Sequence, residues 1–206
     1  IVALLTLLSS HSLAKEQESR PWTDSEIQAL AILPAAQFAE KIAEWQSLAE
    51  QGDSNAMTRL GVVYVQGVGL NLQCEQGVKW LTKAAKINNA YAQHNLALLF
   101  YKGSCVAKDE ARSLELFEQA ARAGVPEAQN NLAVLYAEGI WADSAKALYW
   151  AKAGATQDFI PAQHTLAIIL LGNNEVQDGL HLLTQVAEQG YGESQFLLAY
   201  FYHTGE

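Results

Sequence analysis

The sequence predicts an all-α protein, an α/α superhelical solenoid built from stacked antiparallel helix hairpins. Two features of its composition favour helices around a packed core: half of the 206 residues are apolar with only 17% charged, and there are only four prolines. A third observation is the strongest, because one short segment recurs five times along the chain, at spacings of 36, 36, 34 and 32 residues. A period of this length is typical of proteins whose repeating unit is a pair of helices.

The recurring segment has the residue spacing of one helix face. Each copy carries a leucine four residues after its first residue, a small residue next, and a large apolar residue three positions later. Spacings of three and four residues bring such side chains onto one face of an α-helix, which we expect to be buried. The copies begin at Ala56, Ala92, Ala128, Ala162 and Ser194; the leucines are Leu60, Leu96, Leu132, Leu166 and Leu198; the small residues are Gly61, Ala97, Ala133, Ala167 and Ala199; the large residues are Tyr64, Phe100, Tyr136, Leu170 and Tyr202.

A second helical pattern lies between the copies. In it a large apolar residue precedes a pair of small residues by four positions, as Trp80 precedes Ala84 and Ala85. A hairpin of two such helices cannot cover its own apolar face, so successive hairpins are expected to stack on one another. The alternative interpretation is a helical bundle without repeats.

These residues together resemble the Sel1-like repeat, a relative of the tetratricopeptide repeat. The first repeat keeps the family positions Leu60, Gly61, Tyr64, Gly67, Gly69, Trp80, Lys83, Ala84 and Ala85. The expected repeats span about 53–88, 89–124, 125–157, 158–190 and, in part, 191–206. The fourth departs from the pattern, since Leu170 stands in place of tyrosine and its turn is shortened. The resemblance implies the solenoid fold and roles in assembling envelope complexes, in signalling or in host contact.

The two ends of the chain carry signals of their own. Residues 1–14 combine a short apolar run with a small-residue cleavage site, which predicts the remnant of a secretory signal peptide; an ordinary apolar helix end is the alternative. Residues 15–52 are predicted to form a linker and an N-terminal helical cap, with a capping box at 23–26 and with Pro34 in the first turn of the following helix. We expect an exported protein, periplasmic or secreted, that continues beyond Glu206 with at least one more helix.

The two cysteines, Cys74 and Cys105, fall in adjacent repeats. By the repeat register, Cys74 begins the second helix of the first repeat and Cys105 lies in the turn of the next. Turns of neighbouring hairpins lie about 8–10 Å apart, and an even cysteine count in an exported chain is typical of a disulfide. A Cys74–Cys105 bridge is therefore predicted, with two partly buried thiols as the alternative.

Charge and motifs exclude several functions. The formal net charge of −9 disfavours binding to nucleic acid or to an anionic membrane surface, and the apolar run is too short for stable membrane insertion. No catalytic, phosphate-binding or metal-binding motif is found, so we predict no enzyme and no cofactor. His94 and His164 share a repeat position, but two interhelical steps would place them roughly 20 Å apart, too far to share a metal.

The remaining candidate is the concave groove that the resemblance implies, lined by the first helix of each hairpin. Positions between the packing residues are expected to face a peptide or partner helix there. They are Thr58, His94, Leu98, Tyr101, Asn130, Val134, His164 and Ile168. For the apolar members, packing between neighbouring first helices is an equal alternative. Residues 153–206 hold six acidic side chains and no Lys or Arg, which favours a basic partner or a merely solvated face.

A second function remains open at this stage. Some secreted, cysteine-rich relatives of the resembled family are credited with β-lactam binding, which implies a small-molecule binder or hydrolase. A hydrolase needs an activated nucleophile. By the register, none of Ser54, Ser104 or Ser113 has a histidine or lysine within reach, so this alternative ranks below the protein-binding scaffold.

Overall fold

The computed structural model describes residues 29–138 and 141–204 of the chain, and every long regular element within those ranges is an α-helix. We number the ten helices in chain order. They are α1 (Ala35–Glu50), α2 (Ser54–Gln66), α3 (Cys74–Lys86), α4 (Ala90–Lys102), α5 (Glu110–Arg122), α6 (Pro126–Ala137), α7 (Ser144–Ala155), α8 (Ile160–Gly172), α9 (Val176–Glu188) and α10 (Gly192–Thr204). The predicted all-α fold is confirmed.

The helices after α1 pair into hairpins in the order that the repeats predict. Helices α2, α4, α6, α8 and α10 carry the recurring segment and are the first helices of their hairpins; α3, α5, α7 and α9 are the second helices. The chain forms two compact units; the first ends at Ser113 and the second begins at Leu114. Each unit is described in turn.

In the first unit, small residues let the helices approach closely. A Cβ atom added at Gly61 would lie 2.5 Å from Leu81 Cγ, and one at Gly77 would lie 2.8 Å from the Gly61 carbonyl oxygen. Helices α2 and α3 are therefore in backbone contact across these two glycines, as the small residue of the repeat predicted. Leu60 and Leu81 are fully buried beside this contact.

Helix α1 packs against α2 and covers the start of the repeats. The Gln46 side chain donates a hydrogen bond to the Tyr64 hydroxyl (2.9 Å), and the Phe38 ring lies against Gly69, where a Cβ atom would come within 2.8 Å of it. Pro34 is the N-cap residue of α1, one position before the first turn in which it was expected. Residues 1–14 and the capping box at 23–26 lie outside the described residues.

The second unit repeats the same packing with alanine in place of glycine. Leu132, Ala133, Ala167 and Leu183 are all fully buried. The close approaches recur as well: a Cβ atom at Gly154 would lie 2.7 Å from Ala162 Cβ, and one at Gly179 would lie 3.1 Å from the Ala167 carbonyl oxygen.

A hydrogen bond that the sequence analysis did not predict joins successive hairpins in both units. The glutamine that follows the first residue of each later copy donates its side-chain amide to a backbone carbonyl eight residues earlier, at the end of the preceding second helix. The pairs are Gln93 to Ala85 (3.4 Å), Gln129 to Ala121 (3.0 Å), Gln163 to Ala155 (3.4 Å) and Gln195 to Ala187 (3.0 Å). Each of these carbonyl oxygens also accepts a backbone N–H from the residue three positions later, so the glutamine supplies a second hydrogen bond at the helix C-terminus. The signal was visible in the sequence as a glutamine at the second position of four copies.

The disulfide lies in the first unit and joins the two places that the register predicted. Cys74 is the first residue of α3, and Cys105 lies in the turn between α4 and α5; their sulfur atoms are bonded and their Cα atoms are 4.9 Å apart. Cys105 has a φ of 61°, where the equivalent residue of the preceding hairpin, Gly69, has a φ of 65°. A cysteine thus occupies a left-handed position that favours glycine.

Among the described residues, no helix combines the length and the apolar character that crossing a membrane requires.

Candidate protein-interaction surface

The eight predicted contact residues lie on the first helices, and we call them the first-helix surface. Three belong to α4, two to α6, two to α8 and one to α2. The structure exposes some of these side chains and buries others, and the two units differ in this respect.

In the first unit, Thr58 and His94 are core residues, contrary to the expectation that they face a partner. Thr58 is 9% exposed, and its hydroxyl donates a hydrogen bond to the Ser54 carbonyl oxygen (2.7 Å). His94 is 6% exposed, and burial lowers its pKa to about 4, because the charged imidazolium loses its hydration. The physical reason is that neighbouring residues of the first unit cover both side chains, so these positions between the main packing residues belong to its core.

Leu98 and Tyr101 form the outer part of α4. Leu98 is half-buried, and Tyr101 is 41% exposed. Of the four first-unit positions, Tyr101 is therefore the one presented to solvent.

In the second unit, the apolar positions are on the surface. Val134 on α6 is 49% exposed and Ile168 on α8 is 45% exposed. The residues that immediately precede them, Ala133 and Ala167, are fully buried. The residue at the same repeat position of α10, Tyr200, is 49% exposed. We call Val134, Ile168 and Tyr200 the apolar strip.

Asn130 and His164 lie one helical turn before Val134 and Ile168, on the same faces of α6 and α8. Asn130 is half-buried, and within the described chain its side-chain Oδ1 atom has no hydrogen-bond donor. Leaving this buried carbonyl oxygen without a donor costs free energy.

His164 is held by the following helix. Its Nδ1 atom lies 2.7 Å from the Ser194 hydroxyl oxygen, and its ring packs on the Tyr191 ring with 5.2 Å between centroids. Burial lowers the pKa of His164, and the nearby Glu193 carboxylate acts in the opposite direction. The sequence places Ser194 at the start of the fifth copy, where the other copies have alanine, but its contact with His164 was not predicted.

A serine hydroxyl in hydrogen-bond contact with a histidine is also the geometry of an activated nucleophile. Ser194 is completely buried, however, so no substrate carbonyl can reach its oxygen. The contact serves to join α8 to α10. The described residues contain no group of three or more His, Cys, Asp or Glu side chains arranged to hold a metal ion.

An apolar cleft of about 430 Å³ lies in the first unit, where α1 meets the turn after α2. Its large side chains are Leu33, Phe38, Ile42 and Leu70, and Gln46 is its single polar side chain. Nothing in the described residues indicates what would occupy this cleft, so it is not assigned a ligand.

Comparison with known proteins places this fold in a family. The family model of the Sel1 repeat matches residues 54–89, 90–125, 126–159 and 192–206. The chain is 27% identical over 192 residues to an uncharacterized protein of Neisseria meningitidis serogroup B, covering 92% of this chain and 40% of that protein. It is 29% identical over 176 residues to a chitin synthase regulator of Saccharomyces cerevisiae, and the match covers 77% of this chain and 25% of the yeast protein. The chain thus spans less than half the length of both curated relatives.

Two solved structures have the same fold. A Sel1 repeat protein from Oxalobacter formigenes matches with a TM-score of 0.68 and 26% identity, over 80% of this chain and 76% of that one. A protective antigen of uropathogenic Escherichia coli, described as displaying the same repeat fold, matches with a TM-score of 0.73 and 26% identity, over 93% and 43%. Such repeats are generally non-catalytic and typically mediate protein–protein interactions. The chain belongs to the Sel1 repeat family, with the solenoid fold of stacked helix hairpins.

Proposed function

We propose that the protein is an exported, non-enzymatic scaffold that binds a peptide or a partner helix of another protein on the first-helix surface. The repeats assigned from the sequence, 53–206, carry this surface, and residues 15–52 serve as linker and N-terminal cap. The partner-facing residues are the exposed ones: Tyr101 in the first unit, and Val134 and Ile168 in the second, with Asn130 as their polar neighbour.

The exposure of Val134 and Ile168 is the observation that supports this proposal most directly. A helix of a repeat protein buries its apolar face against neighbouring helices, and Leu132, Ala133 and Ala167 do this completely. Val134 and Ile168 are not needed for that core, yet both are apolar and about half exposed at the same repeat position. Apolar side chains recurring at one exposed position are typical of a protein-binding surface.

The burial of Ser113 and Ser194 supports a binding role over the hydrolase alternative. Ser194 contacts His164 but is buried, and Ser113 is also buried, with its hydroxyl donating to the Ala97 carbonyl oxygen (2.9 Å). These contacts give both serines a structural role.

Export is supported by the disulfide and by the apolar run at 1–14. Disulfides persist in oxidising compartments such as the periplasm or the extracellular space. A direct test is to fractionate the producing cells and alkylate the protein without reduction. If the protein is exported, its mass should correspond to a chain without residues 1–14, it should be found outside the cytoplasm, and neither cysteine should be alkylated. A protein that retains residues 1–14, stays in the cytoplasm and is alkylated at both cysteines would contradict export.

The binding surface can be tested by site-specific photo-cross-linking in the producing cells. Benzoylphenylalanine replaces Ile168 in one variant and Tyr149 in a matched control, because Tyr149 is 63% exposed on the second helix α7. We expect discrete protein adducts from position 168 and few from position 149. Equal adduct patterns at both positions, or adducts at 149 alone, would show that the first-helix surface is not where a partner binds.

A further inference from the structure

We propose that the apolar strip of the second unit binds an extended peptide segment with apolar side chains about three residues apart and Lys or Arg at its ends. This inference rests on the proposed function, since it specifies the partner chemistry for part of the first-helix surface. Three features of the second unit carry it: the spacing of the strip, the charges beside it and the unpaired acceptor on Asn130.

The spacing of the strip matches an extended chain. Val134, Ile168 and Tyr200 occupy the same repeat position on successive first helices, and packed helices lie about 8–10 Å apart. Three residues of a polyproline II chain, the extended conformation with three residues per turn, cover about 9 Å, so every third side chain lies on the same face and can meet one member of the strip. On α6 and α8 the polar side chains of Asn130 and His164 flank the strip on one side. A strip bounded in this way suits an extended segment better than a helix about 10 Å across.

The charges around the strip favour a cationic partner. Glu138 is exposed and follows Val134 by one turn, and Glu193, in the first turn of α10, is close enough to act on His164. After Lys152 the chain has no Lys or Arg. Of the second unit's described cations, Arg122 is paired with Glu118 and Lys146 with Asp143. Glu138, beside Val134, and Glu193, beside His164, therefore have no lysine or arginine from residues 153–204 near them, and a partner's cations would complement them.

Asn130 adds a requirement for a hydrogen-bond donor. Its Oδ1 atom has no donor among residues 29–138 and 141–204, although it lies one turn from Val134. A rotation of the amide toward the surface would place this oxygen beside a bound segment. The backbone N–H groups of an extended peptide are not used within the peptide itself, so one of them can supply the missing donor.

Fluorescence anisotropy with a designed peptide tests the proposal on the full, disulfide-bonded chain. The probe is a labelled eleven-residue peptide with leucines at its third, sixth and ninth positions, a lysine pair at each end, and serine or threonine elsewhere. Two control peptides carry glutamate pairs in place of the lysines, or the three leucines side by side. We expect the glutamate-ended peptide to bind at least about tenfold more weakly at low salt, and the clustered-leucine peptide to be weaker as well.

Matched protein variants locate the site. The double variant Val134→Ser/Ile168→Ser should raise the Kd of the lysine-ended peptide by about tenfold or more, whereas Tyr149→Ser/Val176→Ser, which removes two exposed apolar side chains from second helices, should leave it within about twofold. Glu138→Gln/Glu193→Gln should weaken binding and reduce its salt dependence; Glu115→Gln/Glu188→Gln is the matched control.

The possible failures are distinguishable. Equal binding of lysine-ended and glutamate-ended peptides, still lost on Val134→Ser/Ile168→Ser, would overturn the cationic partner and leave the protein-binding surface intact. Binding that is unaffected by that double variant, or no binding of any of the peptides, would overturn the strip as a peptide site. The photo-cross-linking experiment at Ile168 decides the proposed function independently of the designed peptides.

Discussion

The two units place the same repeat position in different environments. Val62 in α2 is 8% exposed, whereas Val134 at the equivalent place in α6 is 49% exposed. The polar position one turn earlier follows the same trend, since Thr58 and His94 of the first unit are buried and Asn130 and His164 of the second are half-buried. Two repeats with the same packing motif therefore present different surfaces.

The comparison shows which positions the repeat motif controls. Leu60 and Leu132 are both fully buried, and so are Ala97 and Ala133. At these pairs of packing positions the two units agree, and at the positions between them they do not. Leu166 and Leu198, the counterparts of Leu132 in later repeats, are only half-buried. A surface for binding can vary from repeat to repeat without disturbing the core that holds the hairpins together. The predictions that follow test how far the two units differ, beginning with the largest expected effects.

The packing positions should be equally important in both units. Leu60→Ala and Leu132→Ala each remove a fully buried side chain, and each should lower the free energy of unfolding by about 2–5 kcal/mol, because a cavity remains. Urea denaturation followed by circular dichroism measures the effect. Ile168→Ala, at an exposed position, is the control and should change stability by less than about 0.5 kcal/mol. A parent-like melt for either leucine variant would contradict its place in the core.

The disulfide should stabilise the first unit alone. Cys74→Ser/Cys105→Ser opens a loop closed across 31 residues and should cost about 3–4 kcal/mol. Hydrogen exchange should then show faster exchange in α3 and α4 and unchanged exchange in α8 and α9. Equal loss of protection in both units would contradict this.

A related variant separates the effect of losing the disulfide from the cost of the left-handed backbone conformation at residue 105. Because Cys105 has a φ of 61°, Cys74→Ser/Cys105→Gly should be about 1 kcal/mol more stable than the double serine variant. Equal stability of the two variants would mean that the left-handed backbone at this turn costs nothing.

Burial of His94 should make stability depend on pH. Its pKa is lowered from 6.5 to about 4 in the folded protein, so the unfolded chain binds a proton more readily between these values. Stability is therefore fully present above pH 6.5 and is lost as the pH falls toward 4, by about 2 kcal/mol at pH 5. His94→Asn, which introduces the residue found at the same repeat position in α6, should reduce the difference in unfolding free energy between pH 7 and pH 5.

His164 is the matched control for that experiment, because it is only half-buried. Burial also lowers its pKa, but Glu193 opposes the shift, so His164→Asn should remove less of the pH dependence than His94→Asn. The reverse order would show that His94 is hydrated in the folded protein.

The last prediction compares the equivalent positions of the two units directly. Val62→Ala should destabilise the protein by about 2 kcal/mol, since it removes buried methyl groups and leaves a cavity. Val134→Ala at the equivalent, exposed position should change stability by less than about 0.5 kcal/mol. Thermal melts of the two variants measure the difference. Similar losses for both would mean that Val134 is a packing residue and not part of a binding surface.

Much of the fold could be predicted from the sequence because its signals are local and repeated. The spacing of Leu132, Ala133 and Tyr136 within one segment defines a helix face, and its five copies define the hairpin order. The disulfide could be predicted for the same reason, since the register places Cys74 and Cys105 at neighbouring turns. The bond from Gln129 to Ala121 was missed, although its signal was present in four copies, because polar residues in a helical segment are usually assigned to solvent.

The candidate surface could be predicted only in part. The register correctly identifies which residues of a first helix lie between the packing positions, but it assigns Thr58 and Val134 the same environment. The contact between His164 and Ser194 was also missed, because it joins two helices 30 residues apart and depends on one serine among alanines.

The sequence by itself thus determined the helices, their pairing into hairpins, the burial of Leu60, Leu132 and Ala133 and the cysteine pair, because each follows from spacing along one chain segment. The tertiary structure decided which of the remaining first-helix residues reach the surface. Exposure at those positions depends on how closely the neighbouring helices cover them, and that is set by side chains many residues away. His94 and Ile168 therefore differ in burial for reasons that their own segments do not contain.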